Sequence, residues 1–289
     1  DIIIYIEVRC ILMNIKFYVN ENILIWNLLF QASISEQVYN LKQKLWSNYK
    51  DEYNNTYRDK NIILSDPKNF IPNDDTIYNI VKETREYEKI KKSTEKYRME
   101  LMKIWDSNKR LINAFVKSIL KKELRQYKLF VVNEELNVID TYFKAEDVGI
   151  IIVGKSIDKK DPMRIIIDIV MAIVKEEVKF TKDRQDIATA IIELAVLNEF
   201  ATILTKKSCY ISGQPSLISI KRSLYPYWLM YLAVSKGEFQ TYMARDKISF
   251  DANNMAYEKE LKKMNLNEFI DFCHRNKRYI IKPEKVEVL

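Results

Sequence analysis

Three short runs decide how this chain folds: KLFVVN at Lys128–Asn133, NVIDTY at Asn137–Tyr142 and GIIIVG at Gly149–Gly154. Each run is rich in β-branched residues and is bounded by polar residues or glycine, which is typical of strands. We expect these runs to form a sheet of three or more strands. A further strand is expected near the N-terminus, at Asn14–Val19.

Apolar helices are expected after the sheet. The first should span Asp161–Lys179, with Asp161 as N-cap and Pro162 at the first helical position. The second should run from about Asp183 to Lys206. The sequence therefore predicts a mainly helical α+β protein, in which a small sheet packs on apolar helices.

A long basic segment precedes the sheet. Apolar residues recur every three or four positions between Thr76 and Arg125, which predicts a long amphipathic helix, or a hairpin of two helices broken at Ser107-Asn108. The part from Lys82 to Arg125 carries a net charge of +7, equal to that of the whole chain. Such a helix could meet nucleic acid or an acidic partner, or it could be a solvated face with interleaved charges.

Composition excludes several classes of protein. With only four Gly and six Pro in 289 residues, a turn-rich sandwich or barrel is disfavoured. Cys10, Cys209 and Cys273 are odd in number and widely spaced, so we expect a reducing cytoplasm rather than a disulfide framework. Cys273 and the single histidine, His274, are adjacent and would point about 100° apart on a helix, so they do not predict a catalytic pair.

No membrane span is expected from the longest apolar run, Ile165–Val174, because Asp168 interrupts it and it is about half the required length of ~20 residues. The N-terminus lacks the features of a signal peptide, and Met13 is the expected start of the native protein of a low-GC bacterium. We divide the chain into a helical region, 13–126, and a region of sheet and helices, 127–289.

One phosphate-binding pattern occurs in the chain. Gly149, Gly154, Lys155 and Ser156 satisfy G-x-x-x-x-G-K-[ST], the pattern of the P-loop. The four residues between the glycines are Ile-Ile-Ile-Val, which favour a strand over a flexible loop, and the next helix starts too late to add its N-terminus. We expect a strand flanked by glycines, with a P-loop-type NTPase as an alternative.

Two acidic residues on the apolar helices carry a family resemblance. Asp168 lies in Ile167-Asp168-Ile169-Val170-Met171, and Glu193 lies in Ile191-Ile192-Glu193-Leu194-Ala195 on the next helix. The order of elements from Tyr127 to Lys206 resembles the core of a gluzincin-like zincin metallopeptidase. In that family the first helix carries H-E-x-x-H, and the next adds a glutamate ligand.

The resemblance implies a member of the family that has lost its zinc. Asp168 matches the general base by type and Glu193 matches the third ligand, but Ile167 and Met171 occupy the histidine positions. A structural interpretation stands beside this one. Glu193, with Asp186 on nearly the same helix face, could instead satisfy a buried cation such as Arg164 or Arg222.

We therefore expect a catalytically silent, zincin-like protein that acts as a binding or interaction module, with no cofactor and no metal. The sequence does not identify a partner: a protein or peptide could fill this role, nucleic acid could do so without the support of a recognition motif, and no membrane is expected. Two alternatives are an active hydrolase or NTPase, using Asp168 and Glu193 or the Lys155 segment, and a nucleic-acid-associated protein using the basic helix.

Overall fold

The structure is a computed structural model, and it describes residues 15–33, 35–56, 76–143, 148–178, 180–207, 213–236, 261 and 264–281. Met13, the expected start, lies outside these residues, as do Cys10 and Cys209. The chain forms two compact units. The first contains residues 1–113 and 122–155, and the second contains residues 114–121 and 156–289.

The first unit consists of a sheet and the helices that precede it. Its elements are β1 (Ile15–Tyr18), α1 (Glu21–Phe30), α2 (Glu36–Asn48), α3 (Lys50–Asn55), α4 (Thr76–Lys82), α5 (Arg85–Leu120), β2 (Gln126–Val131), β3 (Val138–Phe143) and β4 (Val148–Gly154). Residues of α5 from Ala114 onward belong to the second unit. Ser35, followed by apolar residues at helical spacing, predicts a capped helix, and its side chain does accept a hydrogen bond from the Val38 N–H. Asn20, which was not predicted as a cap, accepts one from the Ile23 N–H in the same way.

The four strands form one mixed sheet in the order β1-β2-β4-β3. Strand β2 is parallel to both of its neighbours, β1 and β4. The edge strand β3 runs antiparallel to β4. The expected strands are confirmed. The sequence-based division placed β2, β3 and β4 in region 127–289, whereas the compact units group them with the N-terminal helices.

The central strands are buried on both faces. Phe130 and Ile152 join a hydrophobic cluster with residues of α1, α2, α4 and the start of α5. Leu129 and Ile151, which point to the opposite face, are equally buried. This explains why the strands read as continuous apolar runs rather than as an alternating pattern, and the mainly helical α+β class is confirmed.

Helix α5 is continuous, so the alternative of a hairpin broken at Ser107-Asn108 is wrong. Both residues keep the helix intact by bonding to the carbonyls of the preceding turn. The Ser107 hydroxyl donates to Lys103 O at 2.9 Å, and the Asn108 side-chain amide donates to Ile104 O at 2.8 Å. Polar residues that satisfy a carbonyl four residues back do not need to end a helix.

The second unit is built from helices. Its elements are α6 (Arg164–Glu177), a 3₁₀ turn (Lys182–Arg184), α7 (Gln185–Glu193), a π-helical segment (Leu194–Phe200), α8 (Ala201–Thr205), a second 3₁₀ turn (Pro215–Leu217), α9 (Ile218–Lys236), α10 (Leu266–Arg275) and α11 (Lys277–Ile280). The expected cap at Asp161 is wrong. The backbone N–H of Arg164 bonds to Asp161 O in a turn, so the helix begins only at Arg164.

One helix of the second unit, Lys182–Thr205, is long and apolar enough by composition to cross a membrane. Its 18-residue window has a mean hydropathy of 1.8, and 78% of that window is buried within the protein. Burial of this extent is typical of a core helix in a soluble protein.

Gly154 closes β4 at a point where the chain has no room for a side chain. A Cβ atom there would lie 2.4 Å from Val132 Cγ2 and 2.9 Å from the carbonyl oxygens of Asn133 and Leu136. We predict that Gly154→Ala lowers the free energy of unfolding by about 1–3 kcal/mol, because the added methyl overpacks the sheet. Denaturant unfolding measures this, with Ser156→Ala at an exposed position as control. Equal stability of the two variants would contradict the prediction.

Candidate functional site

Glu193 lies at the end of α7, where the helix passes into the π-helical segment. Only 4% of its side chain is exposed, and the Lys221 side chain on α9 is fully buried. Lys221 Nζ donates to Glu193 Oε2 at 2.6 Å. The two buried charges therefore neutralise each other.

The backbone just before the second 3₁₀ turn supplies another hydrogen-bond donor to the Glu193 carboxylate. The backbone N–H of Gln214 lies 3.1 Å from Glu193 Oε2 and 3.3 Å from Oε1. Gly213 has φ +118°, and a Cβ atom at that position would lie 2.1 Å from Glu193 Oε2. Only glycine both adopts this conformation and allows so close an approach of backbone to carboxylate.

The Glu193 carboxylate is thus held in place by donors from two directions. To bind a metal or to accept a proton from water, it would first have to break its ion pair with the buried Lys221. Breaking a buried ion pair costs on the order of several kcal/mol. The arrangement therefore favours a structural role for Glu193.

Asp168 also has a cation beside it. Its Oδ1 lies 3.3 Å from Arg164 Nε, one turn earlier on α6, and the two side chains are 14% and 49% exposed. On the same helix, Ile167 is buried and Met171 is partly buried, and neither side chain can bind zinc as histidine does. Asp168 and Glu193 therefore form ion pairs with different basic residues, Asp168 with Arg164 and Glu193 with Lys221.

Other buried polar residues of the second unit were not singled out from the sequence. Glu177, Asn198 and Glu199 are all buried, the first at the end of α6 and the others in the π-helical segment. The sequence feature that could have identified this segment is the polar pair Asn198-Glu199 within an otherwise apolar helix. Single-turn π segments often occur at functional sites, so this segment belongs to the candidate site.

The glycines of the phosphate-binding pattern and the residues between them form a strand, and Lys155 and Ser156 follow it. Gly149 pairs with Tyr127 on β2 and with Phe143 on β3, so the backbone there belongs to the sheet. The Tyr97 hydroxyl donates to Lys155 O at 2.5 Å directly after the strand. The expectation of a strand flanked by glycines is therefore met, and the loop that would wrap a phosphate is absent from residues 148–156.

Cys273 is fully buried in α10. Burial raises the pKa of its thiol well above the ordinary value. The neighbouring His274 lies 3.6 Å from Asp183, from Nε2 to Oδ2, rather than facing the thiol. Within the residues that the structure describes, no group of three or more His, Cys, Asp or Glu side chains could hold a metal ion.

Comparison of the chain with protein families, with curated proteins and with solved structures finds no significant match.

The buried pair makes a quantitative prediction. Lys221→Met should lower the free energy of unfolding by about 3–5 kcal/mol, because Glu193 is left charged and buried. The double variant Glu193→Gln/Lys221→Met removes both charges and keeps an acceptor for the Gln214 N–H. It should therefore lose less stability than Lys221→Met alone, which a double-mutant cycle measures.

The matched control for this cycle is Arg164→Met, which removes the cation from the half-exposed pair with Asp168. Exposed pairs contribute little, so we expect a loss below about 1 kcal/mol. The structural role of the Lys221–Glu193 pair is refuted if Lys221→Met lowers the free energy of unfolding by no more than Arg164→Met does.

The burial of Cys273 predicts that its thiol is unreactive in the folded protein, since only an accessible thiolate attacks an alkylating reagent. Brief treatment with iodoacetamide at neutral pH, followed by peptide mapping, should leave Cys273 unmodified. The same treatment in guanidinium should modify it fully. Rapid modification under native conditions would show that α10 opens or that the thiol is activated.

Proposed function

We propose that this protein is a catalytically silent, zincin-like binding module. The observation that carries the proposal is the Lys221–Glu193 pair, because the one carboxylate that matches a zinc ligand is neutralised by a buried lysine. The order of elements along the chain supports the zincin-like part. A small sheet, β2 to β4, is followed by α6 with Asp168 and then by α7 with Glu193.

Four residues support the proposed absence of catalysis. Ile167 and Met171 offer no imidazole to a metal. Asp168 would act as general base only with a free carboxylate oxygen near an activated water, and Arg164 lies against one of its oxygens. Glu193 is tied to Lys221 and to the Gln214 N–H.

A protein without catalytic activity functions by binding a partner. The outward face of α5 is strongly basic, since six lysine and arginine residues on it are exposed: Arg85, Lys89, Lys92, Lys96, Lys103 and Arg110. This observation favours an anionic partner, and it gives the nucleic-acid-associated function more support than an NTPase or a hydrolase receives. The NTPase alternative would require the Gly149–Gly154 backbone to leave the sheet.

The silent state predicts no turnover. Purified protein incubated with zinc should hydrolyse neither fluorogenic peptides nor ATP above a no-protein blank, and it should retain less than stoichiometric zinc after gel filtration. Glu193→Gln should lower the melting temperature because it weakens the buried pair. Asp168→Asn, the control, should melt close to the wild type.

The proposal fails if hydrolysis is detected and is lost in Glu193→Gln or Asp168→Asn at a temperature where the variant is folded. Stoichiometric zinc that either substitution releases would equally overturn it. Circular dichroism at the assay temperature separates lost activity from lost folding.

A further inference from the structure

The outward face of α5 carries a line of positive charge. At about 100° per residue, the cations that fall within about 40° of one direction form a ridge along the first unit's part of the helix. We call this set the basic ridge: Arg85, Lys89, Lys92, Lys96, Lys103 and Arg110. All six are exposed, and the other residues in the same sector are Met99 and Ser107, so no carboxylate lies among them.

The opposite face of α5 fixes the direction in which the ridge points. Tyr97, Leu101 and Trp105 are buried on that face. The Tyr97 hydroxyl is bonded to Lys155 O after β4, and Asn133 Nδ2 donates to Ser93 Oγ at 3.0 Å. Because these contacts anchor the helix to the sheet, the helix cannot rotate to hide the charges.

Three acidic residues of α5 flank the ridge at about 60° from its direction: Glu88, Glu100 and Asp106. Glu88 bonds to Lys92 at 2.7 Å, and Glu95 bonds to Arg98, which lies off the ridge. The remaining ridge cations form no ion pair with any residue that the structure describes: Arg85, Lys89, Lys96, Lys103 and Arg110. A charged ridge of this kind differs from a face on which charges of both signs alternate and cancel.

The dimensions of the ridge suit a long polyanion. From Arg85 to Arg110 the helix rises by about 38 Å at 1.5 Å per residue. Duplex DNA presents one phosphate charge per ~1.7 Å of its axis, and lysine and arginine bind phosphates by displacing counterions. The ridge therefore spans about one turn of a duplex, ~34–36 Å, over which its cations can contact phosphates of both strands.

The residues between the cations exclude other partners. A protein interface needs aromatic or aliphatic anchors at its centre, and the ridge has only Met99. Membrane binding needs an apolar face beside the basic one, and the opposite face of α5 is already buried. Single-stranded nucleic acid is held by stacking on aromatic side chains, which the ridge does not contain.

We propose that the basic ridge of α5 binds the phosphate backbone of duplex nucleic acid without sequence preference. The inference rests on the proposed function as a binding module and names its class of partner. Sequence preference is not expected, because contacts from lysine and arginine to phosphates carry no sequence information, and a convex ridge that lies against the backbone does not place its side chains in a groove.

Fluorescence anisotropy with a labelled 25-base-pair duplex of arbitrary sequence tests the proposal. If the five unpaired cations each neutralise one phosphate, affinity should fall about 500-fold between 50 and 200 mM salt. In Lys89→Gln/Lys96→Gln/Lys103→Gln the same change of salt should lower affinity only about 12-fold, because two contacts remain. A second duplex of unrelated sequence should bind equally well.

The matched control is Lys160→Gln/Lys175→Gln/Lys277→Gln, which removes the same charge from exposed lysines of the second unit that are not part of α5. It should retain the salt dependence of the wild type. Both triple variants change only exposed side chains, so their melting temperatures should stay at the wild-type value, and circular dichroism verifies that they fold.

The proposal is overturned if the protein does not bind the duplex at 50 mM salt, or if the control triple variant loses as much salt dependence as the ridge variant. It is also overturned if the protein binds a single strand or anionic vesicles more tightly than the duplex. None of these outcomes bears on catalytic silence, which the turnover and zinc measurements decide. Conversely, turnover in those assays would refute the silent state and leave binding at the ridge unaffected.

Discussion

A charge cannot be buried in the second unit without a partner of opposite sign, and the packing around Glu193 follows from this constraint. An unpaired carboxylate or ammonium in the interior would cost several kcal/mol, against a net stability of about 5–15 kcal/mol for a whole protein. The pair with Lys221 therefore fixes how α7 and α9 pack against each other. It also brings Gly213 and Gln214 over the carboxylate, since the remaining oxygen lone pairs need a donor.

Much of the fold could be predicted because its signals are local. The strands were visible as β-branched runs, α5 as a 3.6-residue period, and one helix start as Ser35 with its capping side chain. The order of the sheet could not be predicted, since β1 and β2 pair across more than a hundred residues of chain. The sequence left open whether α5 continues through Ser107, because side chains that break helices in one context bond to the preceding turn in another.

For the candidate site, the sequence indicated the buried acid but not the residue that pairs with it, because the first signal is local and the second depends on tertiary packing. Sequence reasoning identified Glu193 as a buried acid that needs a cation, and it offered Arg164 or Arg222. The cation is Lys221, while Arg164 pairs with Asp168 on its own helix. The first pairing depends on tertiary packing between separate helices, whereas the second is a neighbouring-turn contact that spacing alone could have suggested.

The separation of Glu193 and Lys221 along the chain has a consequence for synthesis. The lysine is translated 28 residues after the glutamate, so the helix that carries the carboxylate is synthesised before the charge that neutralises it. Without α9, the helix would have an uncompensated acid on a surface that must later be buried. The second unit therefore completes its core only after α9 has emerged, and its folding is coupled to the late stages of translation.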